Sequence, residues 1–215
     1  RLCLSLPQQA TIISQPGLVL VAEDDKFVCP NVTFTLSANA TGGTMPYTFN
    51  WSNGVSGPNI TINNGISANT TYSVTVTDNK GCTATDQVLV SVHPNLTVSA
   101  SAPEVCEGFN LIITSTPSGG TPGFSYVWSG PNGYSANSQS ITRTNATTAM
   151  TGVYSVTVTD TKGCSATAQV NAAVNPNPTV QASSNSPVCT NSDINLFANV
   201  SGGTMGYTYT WTGPS

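Results

Sequence analysis

Charge is what this sequence has least of. Asp, Glu, Lys and Arg together make up 7% of its 215 residues, against roughly 25% in an ordinary soluble domain. Only five residues are Lys or Arg, and the formal net charge is −4. Nucleic acid is held by a footprint of clustered cations, so that class of partner is excluded. The same shortage argues against docking on an anionic membrane surface. There is one histidine, His93, and no Cys-x-x-Cys pair, so no zinc-type ligand set is in sight. His93 has no recognisable Ser or Cys nucleophile and no spacing to an acid, and reads as a surface residue at a boundary. No apolar run approaches the roughly 20 residues of a membrane-spanning helix. No catalytic residue, cofactor or metal is expected, and the chain does not read as an enzyme. It begins at Arg1 without a leader, which reads as a processed chain or a stretch of a longer one.

Thr, Ser, Asn, Gly and Val fill the space that charge leaves. Thr and Val favour strands, and Gly, Asn and Pro favour turns, so the composition is that of an all-β protein. An internal repeat then sets the organisation. Trp51, Trp128 and Trp211 follow Cys29, Cys106 and Cys189 at one identical interval. The step from copy to copy is therefore the same for both residue types, and the second step is slightly longer than the first. A second motif, Tyr-Ser-Val-Thr-Val-Thr-Asp-x-Lys-Gly-Cys, occurs at Tyr72 to Cys82 and again at Tyr154 to Cys164. Cys3 precedes Cys29 by nearly the interval at which Cys82 precedes Cys106 and Cys164 precedes Cys189. Cys3 therefore matches the turn cysteine of a preceding repeat, with a free terminal thiol as the alternative.

Four segments follow: 1–16, the end of a preceding repeat with a last strand at 10–14; 17–94 and 95–175, two whole repeats; and 176–215, the first strands of another. In the first whole repeat the alternation predicts strands at 18–22, 32–38, 47–52, 59–62, 72–77 and 83–92, with a tight turn at Asp78 to Gly81. In the second it predicts 96–100, 111–115, 124–128, 141–144, 153–159 and 166–174. The second repeat is five residues longer between Trp and turn Cys, which predicts a loop insertion there. His93-Pro94-Asn95 and Asn175-Pro176-Asn177-Pro178 form short, stiff joints. Proline removes a ladder donor and so marks a boundary between strands. The third repeat stops after Trp211, and three strands cannot close a sandwich core. Either continuing chain or another chain is expected to complete it.

Val105-Cys-Glu-Gly108, the Gly-Gly-Thr before an aromatic strand, Val127-Trp-Ser-Gly-Pro-Asn-Gly133 and the Tyr-to-Cys motif form one ordered set. That set resembles the Ig-like and polycystic-kidney-disease-like (PKD-like) repeats of very large Bacteroidota surface proteins, among them gliding-motility adhesins and other type IX secretion cargo. The stretch from Arg1 to Cys29 diverges most, with Leu2 where the other copies have Gly. The resemblance implies tandem antiparallel β-sandwiches in a rod-like, extracellular, cell-surface array, and cysteines that form disulfides. In that fold, strands A, B, C, F and G alternate in direction. Pairing within a repeat, Cys29 with Cys82 and Cys106 with Cys164, would join opposite ends of a sandwich. The favoured pairing is instead across repeats, Cys29 with Cys164. Cys3, Cys82, Cys106 and Cys189 would then pair with cysteines outside this sequence.

The remaining candidates read as structural. Trp51, Trp128 and Trp211 match the core Trp of strand C, and Tyr72 and Tyr154 match a tyrosine corner at the start of strand F. Asp78 and Asp160 read as turn caps; no second carboxylate lies near enough in sequence to suggest Ca²⁺. Asn-x-Ser/Thr sequons stand at Asn31, Asn39, Asn59, Asn69, Asn95, Asn145 and Asn199. In a composition so rich in Asn and Thr many arise by accident. The function expected is a structural and adhesive stalk whose partners are neighbouring repeats of the same chain and other copies in a fibre. Alternatives are a module that binds a cell-surface glycan or protein through the loops at 41–46, 119–123 and 202–206, and a spacer in a secreted hydrolase.

Overall fold

A computed structural model describes residues 16–213. Cys3 and the strand expected at 10–14 lie outside the described residues. The chain divides into two compact units, Arg1–Pro94 and Asn95–Ser215.

In the described part of the first unit, seven strands form two sheets. Strands β1 (Val19–Ala22), β3 (Phe34–Thr41) and β5 (Asn59–Ile62) make one sheet, in the order β1-β3-β5. The other contains β2 (Lys26–Val28), β7 (Thr83–Val92), β6 (Thr70–Thr77) and β4 (Thr48–Trp51), in the order β2-β7-β6-β4. The first strand is split: β1 pairs antiparallel with β3, while β2 has crossed to the other sheet and runs parallel to β7. Two packed sheets with strands of alternating burial are an Ig-like β-sandwich. Period-two alternation puts Leu20, Leu36, Phe49, Trp51, Ile60, Tyr72, Val74, Val76, Val88 and Val90 into one core. Burying a valine such as Val74 or Val88 completely contributes about 1.5–3 kcal/mol, and both have no exposed surface.

The second unit repeats the plan. One sheet holds β8 (Leu96–Ser101), β10 (Leu111–Gly119) and β13 (Ser140–Arg143), in the order β13-β10-β8. The other holds β11 (Ser125–Gly130), β12 (Tyr134–Ala136), β14 (Gly152–Thr159) and β15 (Ser165–Ala172), in the order β12-β11-β14-β15. β9 (Val105–Cys106) pairs parallel with β16 (Val174–Asn175), the counterpart of β2 on β7. The inserted residues after Trp128 build β12, which extends the sheet beyond β11.

Residues 176–213 contain one further hairpin, β17 (Thr179–Ser184) against β18 (Leu196–Ser201). Two expectations are corrected here. The stretch leading to Trp211 forms no strand, and Trp211 is 48% exposed, so it is not a core residue as described. The physical reason is a missing pairing partner within its own sheet. Trp51 and Trp128 lie in sheets in which β4 pairs with β6 and β11 with β14. No counterpart of β6 or β14 exists among the described residues of the third repeat. Val180, Leu196 and Trp211 accordingly lie open. Smaller corrections concern boundaries: β3 begins at Phe34 rather than Val32, and β2, β9 and β12 were not expected.

Candidate functional site

A polar hub in each whole repeat is built around the turn Asp. Asp78 is buried. Its Oδ1 accepts the backbone N–H groups of Lys80 and Cys82, each at 2.9 Å. Its Oδ2 accepts the N–H of Thr44, 34 residues away, also at 2.9 Å. Asp160 does the same with Lys162, Cys164 and Thr121, each at 2.9 Å. Sequence reasoning placed these residues as local caps. It missed the long-range bond, which fastens the loop after β3 or β10 to the turn before β7 or β15. The only available signal was the Gly-Gly-Thr recurring one loop before each aromatic strand. Hydrogen bonding to the charged form favours it, and the Asp78 carboxyl is held below its usual range, chiefly by the Thr44 N–H. Three backbone N–H groups converge on each carboxylate, so this turn works as a latch between the loop and the hairpin.

The loop glycines follow from the same construction. Gly42 and Gly119 have φ of +71°, and a Cβ at either would stand 2.1 Å from a backbone oxygen, that of Gly17 or Asn95. No side chain fits. The loop is further closed by the Tyr47 hydroxyl donating to the Gly42 carbonyl. Of the three loops proposed as ligand contacts, the first exposes Met45 and the third Met205, at 73% and 91%.

Trp51 and Trp128 are buried, and their indole N–H groups donate to the carbonyls of Gly57 and Ser138 at 2.9 Å. Tyr154 forms a tyrosine corner: its hydroxyl donates to the Met150 carbonyl at 3.0 Å and accepts from the Arg143 guanidinium at 2.8 Å. That guanidinium also lies 4.4 Å from the Tyr134 ring centroid. Tyr72 is buried at the same position, and burial raises its phenol pKa. His93 donates its backbone N–H to the Val28 carbonyl at 2.9 Å, and its ring stacks on the exposed Phe27 at 5.3 Å.

Among the described cysteines, Cys29 and Cys164 are disulfide-bonded, whereas Cys82, Cys106 and Cys189 are exposed thiols. Pairing inside a repeat is excluded by geometry as well. Cys29 follows Val28, which registers with Val92 at the end of β7, and Cys82 precedes the first residue of that strand. Ten residues of strand span about 33 Å, against the roughly 7 Å limit between disulfide Cα atoms. In the second unit Cys106 registers with Asn175, while Cys164 precedes β15 at Ser165. Eight residues of β15 alone span about 26 Å.

The described residues contain no group of three or more His, Cys, Asp or Glu placed to hold a metal ion. No described helix is long and apolar enough to cross a membrane.

Comparison with known proteins adds a local match. A family model described as the SprB repeat matches residues 33–56, which cover β3, the Gly-Gly loop and β4 with Trp51. No curated protein sequence matches the chain. The four N-terminal Ig domains of Dscam1 isoform 1.9 are 14% identical over 70% of this chain and 43% of that chain, with a TM-score of 0.34. Three N-terminal domains of the bacteriophage RB49 outer capsid protein Hoc are 16% identical over 86% and 68%, with a TM-score of 0.38. The two-domain DIP-gamma structure is 12% identical over 74% and 98%, with a TM-score of 0.35. The chain spans less than half the length of the Dscam chains it matches first. The Ig-like assignment rests on the sheets themselves.

Proposed function

We propose that this chain is part of a structural and adhesive stalk: an extracellular array of Ig-like repeats of the surface-adhesin type, in which disulfides fasten successive repeats. The SprB-repeat match over residues 33–56 supports the adhesin class. The observation that carries the stalk is the state of the cysteines. Cys29, in the first whole repeat, and Cys164, in the second, are disulfide-bonded, while the within-repeat partners Cys82 and Cys106 are thiols. On this reading Cys29 and Cys164 bond to one another, and oxidised cysteines support a location outside the reducing cytosol. Proline joints, sheets with fully buried cores and the Asp latches resist extension along the array. Secretion by the type IX route and a Bacteroidota source follow from the resemblance of the repeats and belong to the same proposal.

The test is single-molecule pulling from the two termini, with and without reductant. A bond between Cys29 and Cys164 locks all the chain between them, so reduction is expected to release about 470 Å of extra contour length. An extension that reductant leaves unchanged sinks the reading. Non-reducing peptide mapping gives the bond directly.

A second reading, a module for a glycan or protein ligand, is favoured by one observation. A shallow groove lined by Met45, Pro46, Tyr47, Phe49 and Pro58 runs beside β4, at an edge that β12 covers in the second repeat. A glycan or protein array that captures the native chain but not Met45→Ser would favour that reading over the stalk.

A further inference from the structure

Each whole repeat has two cysteine positions, one in the turn before its last long strand and one at the parallel strand pair. In the first repeat these are Cys82 and Cys29; in the second, Cys164 and Cys106. One cysteine of each kind is oxidised and one of each kind is free. The turns are otherwise the same. Asp78 donates its N–H to the Cys82 carbonyl at 2.9 Å and Asp160 to the Cys164 carbonyl at 2.9 Å. The return bonds, from each cysteine N–H to its Asp Oδ1, are also 2.9 Å. The frame that presents the oxidised Cys164 is therefore already built around the free Cys82. At the other end, Cys106 sits in a two-residue parallel pair with Asn175, as Cys29 directly follows the pair of Val28 with Val92. Cys189 precedes β18 as Cys29 precedes β3, and both are followed two positions later by an Asn of positive φ, Asn191 and Asn31.

We propose that Cys82, Cys106 and Cys189 are cross-linking sites with a fixed polarity. A turn cysteine of one Ig-like repeat bonds to the cysteine ahead of the second long strand of another, either along a longer chain or in a second copy. The inference rests on the reading that Cys29 and Cys164 are bonded to each other. The reaction needs a disulfide-class oxidant such as oxidised glutathione. One cysteine loses its proton and its thiolate attacks the oxidant, breaking that S–S bond and expelling one glutathione thiolate. The second cysteine, also deprotonated, attacks the protein sulfur of the mixed disulfide and expels the other. Two protein thiols thus give up two protons and two electrons, and the oxidant leaves as two thiols. Polarity excludes like-with-like joining, so the product grows as a head-to-tail series, the heterologous geometry that generates filaments.

The experiment uses the full chain carrying Cys3→Ser, so that Cys82 is the single free cysteine of the turn kind. It is incubated in a glutathione redox buffer and mapped without reduction. Peptides joining Cys82 to Cys106 or Cys189 are expected in roughly tenfold excess over Cys82–Cys82 and Cys106–Cys189 peptides, the ratio set by about 1.4 kcal/mol of preference. Adding Cys82→Ser, an exposed and nearly isosteric change, is expected to abolish the oligomers while leaving the near-ultraviolet spectrum of the fold intact. Random joining of all three thiols, or glutathione caps without any protein cross-link, overturns the proposal. The same digest reports the Cys29–Cys164 peptide separately, so failure of the underlying reading and failure of this inference give different maps. A longer chain carrying the next repeat distinguishes the two sources of partner: bonds along the chain appear in its monomer band, and bonds between copies only in its oligomers.

Discussion

Trp128 and Trp211 occupy the same place in the repeat, at one interval after Cys106 and Cys189, and have opposite environments. Trp128 is fully buried with its N–H on the Ser138 carbonyl; Trp211 is 48% exposed. The hairpin before them forms in both, since β8 pairs with β10 and β17 with β18. What differs is the second layer. Local alternation and turn residues are enough to specify a strand pair, but a half-buried strand is stabilised only when another sheet covers its apolar face. Among the described residues, strand pairing and second-layer burial stand apart in these two repeats.

Breaking that contrast at its centre gives the largest effect. Trp128→Ala is expected to cost the second repeat about 3–5 kcal/mol, the range for a buried aromatic. Trp211→Ala, in the same chain, is expected to stay within about 0.5 kcal/mol, as exposed positions do. Urea melts of the two variants check this. Acrylamide should quench one class of tryptophan readily and leave Trp51 and Trp128 protected. Equal losses for the two variants would mean that the third repeat has a covered core after all.

The next effect concerns the loops that precede the tryptophan strands. At Gly119 an added Cβ meets the Asn95 oxygen at 2.1 Å; at Gly202 the matching contact, with Asn177, is 3.0 Å. Both have φ of +71°, so both substitutions carry the cost of that backbone conformation, about 1–2 kcal/mol for a residue with a Cβ. Gly119→Ala adds a backbone collision to it and is expected to be the more damaging, by about 1–3 kcal/mol of local strain. Thermal melts of the two variants rank them. A Gly202→Ala variant as damaged as Gly119→Ala would show that the third loop is already closed to the same degree.

A smaller effect separates the two whole repeats. Tyr154 gives and receives hydrogen bonds through its hydroxyl, and Tyr154→Phe is expected to cost about 0.5–1.5 kcal/mol per bond lost. The Tyr72 hydroxyl makes no such hydrogen bonds among the described residues, and Tyr72→Phe is expected to cost less. Chemical denaturation followed repeat by repeat reads the difference.

How much of this was legible beforehand depends on the range of the interaction. The alternation of Tyr72, Val74 and Val76 announced β6 and its buried face, because period two is local. The Trp and Cys intervals announced the repeat. The insertion after Trp128 was visible as five extra residues, but its conversion into β12 was not, since Tyr134 to Ala136 acquires strand character by pairing with β11. The split of the first strand into β1 and β2 was hidden for the same reason: Lys26–Val28 has no pattern of its own and is held by β7. The turn role of Asp78 was legible from Asp-Asn-Lys-Gly. Its bond to Thr44 spans 34 residues, and no short-range pattern encodes such a pairing. The spacing records where Trp211 sits in the repeat, and its exposure reflects the lack of a paired neighbouring strand among the described residues.

The smallest expected effect is a change of slope, and it tests whether the latch contributes to stability in the first repeat. The Asp78 carboxyl is depressed in the folded chain by the N–H groups of Thr44, Cys82 and Lys80. Unfolding returns it to an ordinary value near about 3.9. The unfolded chain therefore binds a proton at a higher pH than the folded chain does. The sign follows: the stabilisation is complete above the unfolded value and is lost as pH falls through that value toward the folded one. Asp86, held down chiefly by the Ala22 N–H, adds a slope of the same sign. Urea midpoints of the first repeat are thus expected to be flat near neutrality and to fall below about pH 4. Asp78→Asn should lower the neutral plateau and flatten the acid limb, leaving the part that Asp86 contributes. An unchanged acid limb in that variant would mean that the carboxylate at the turn positions the loop without its charge mattering to stability.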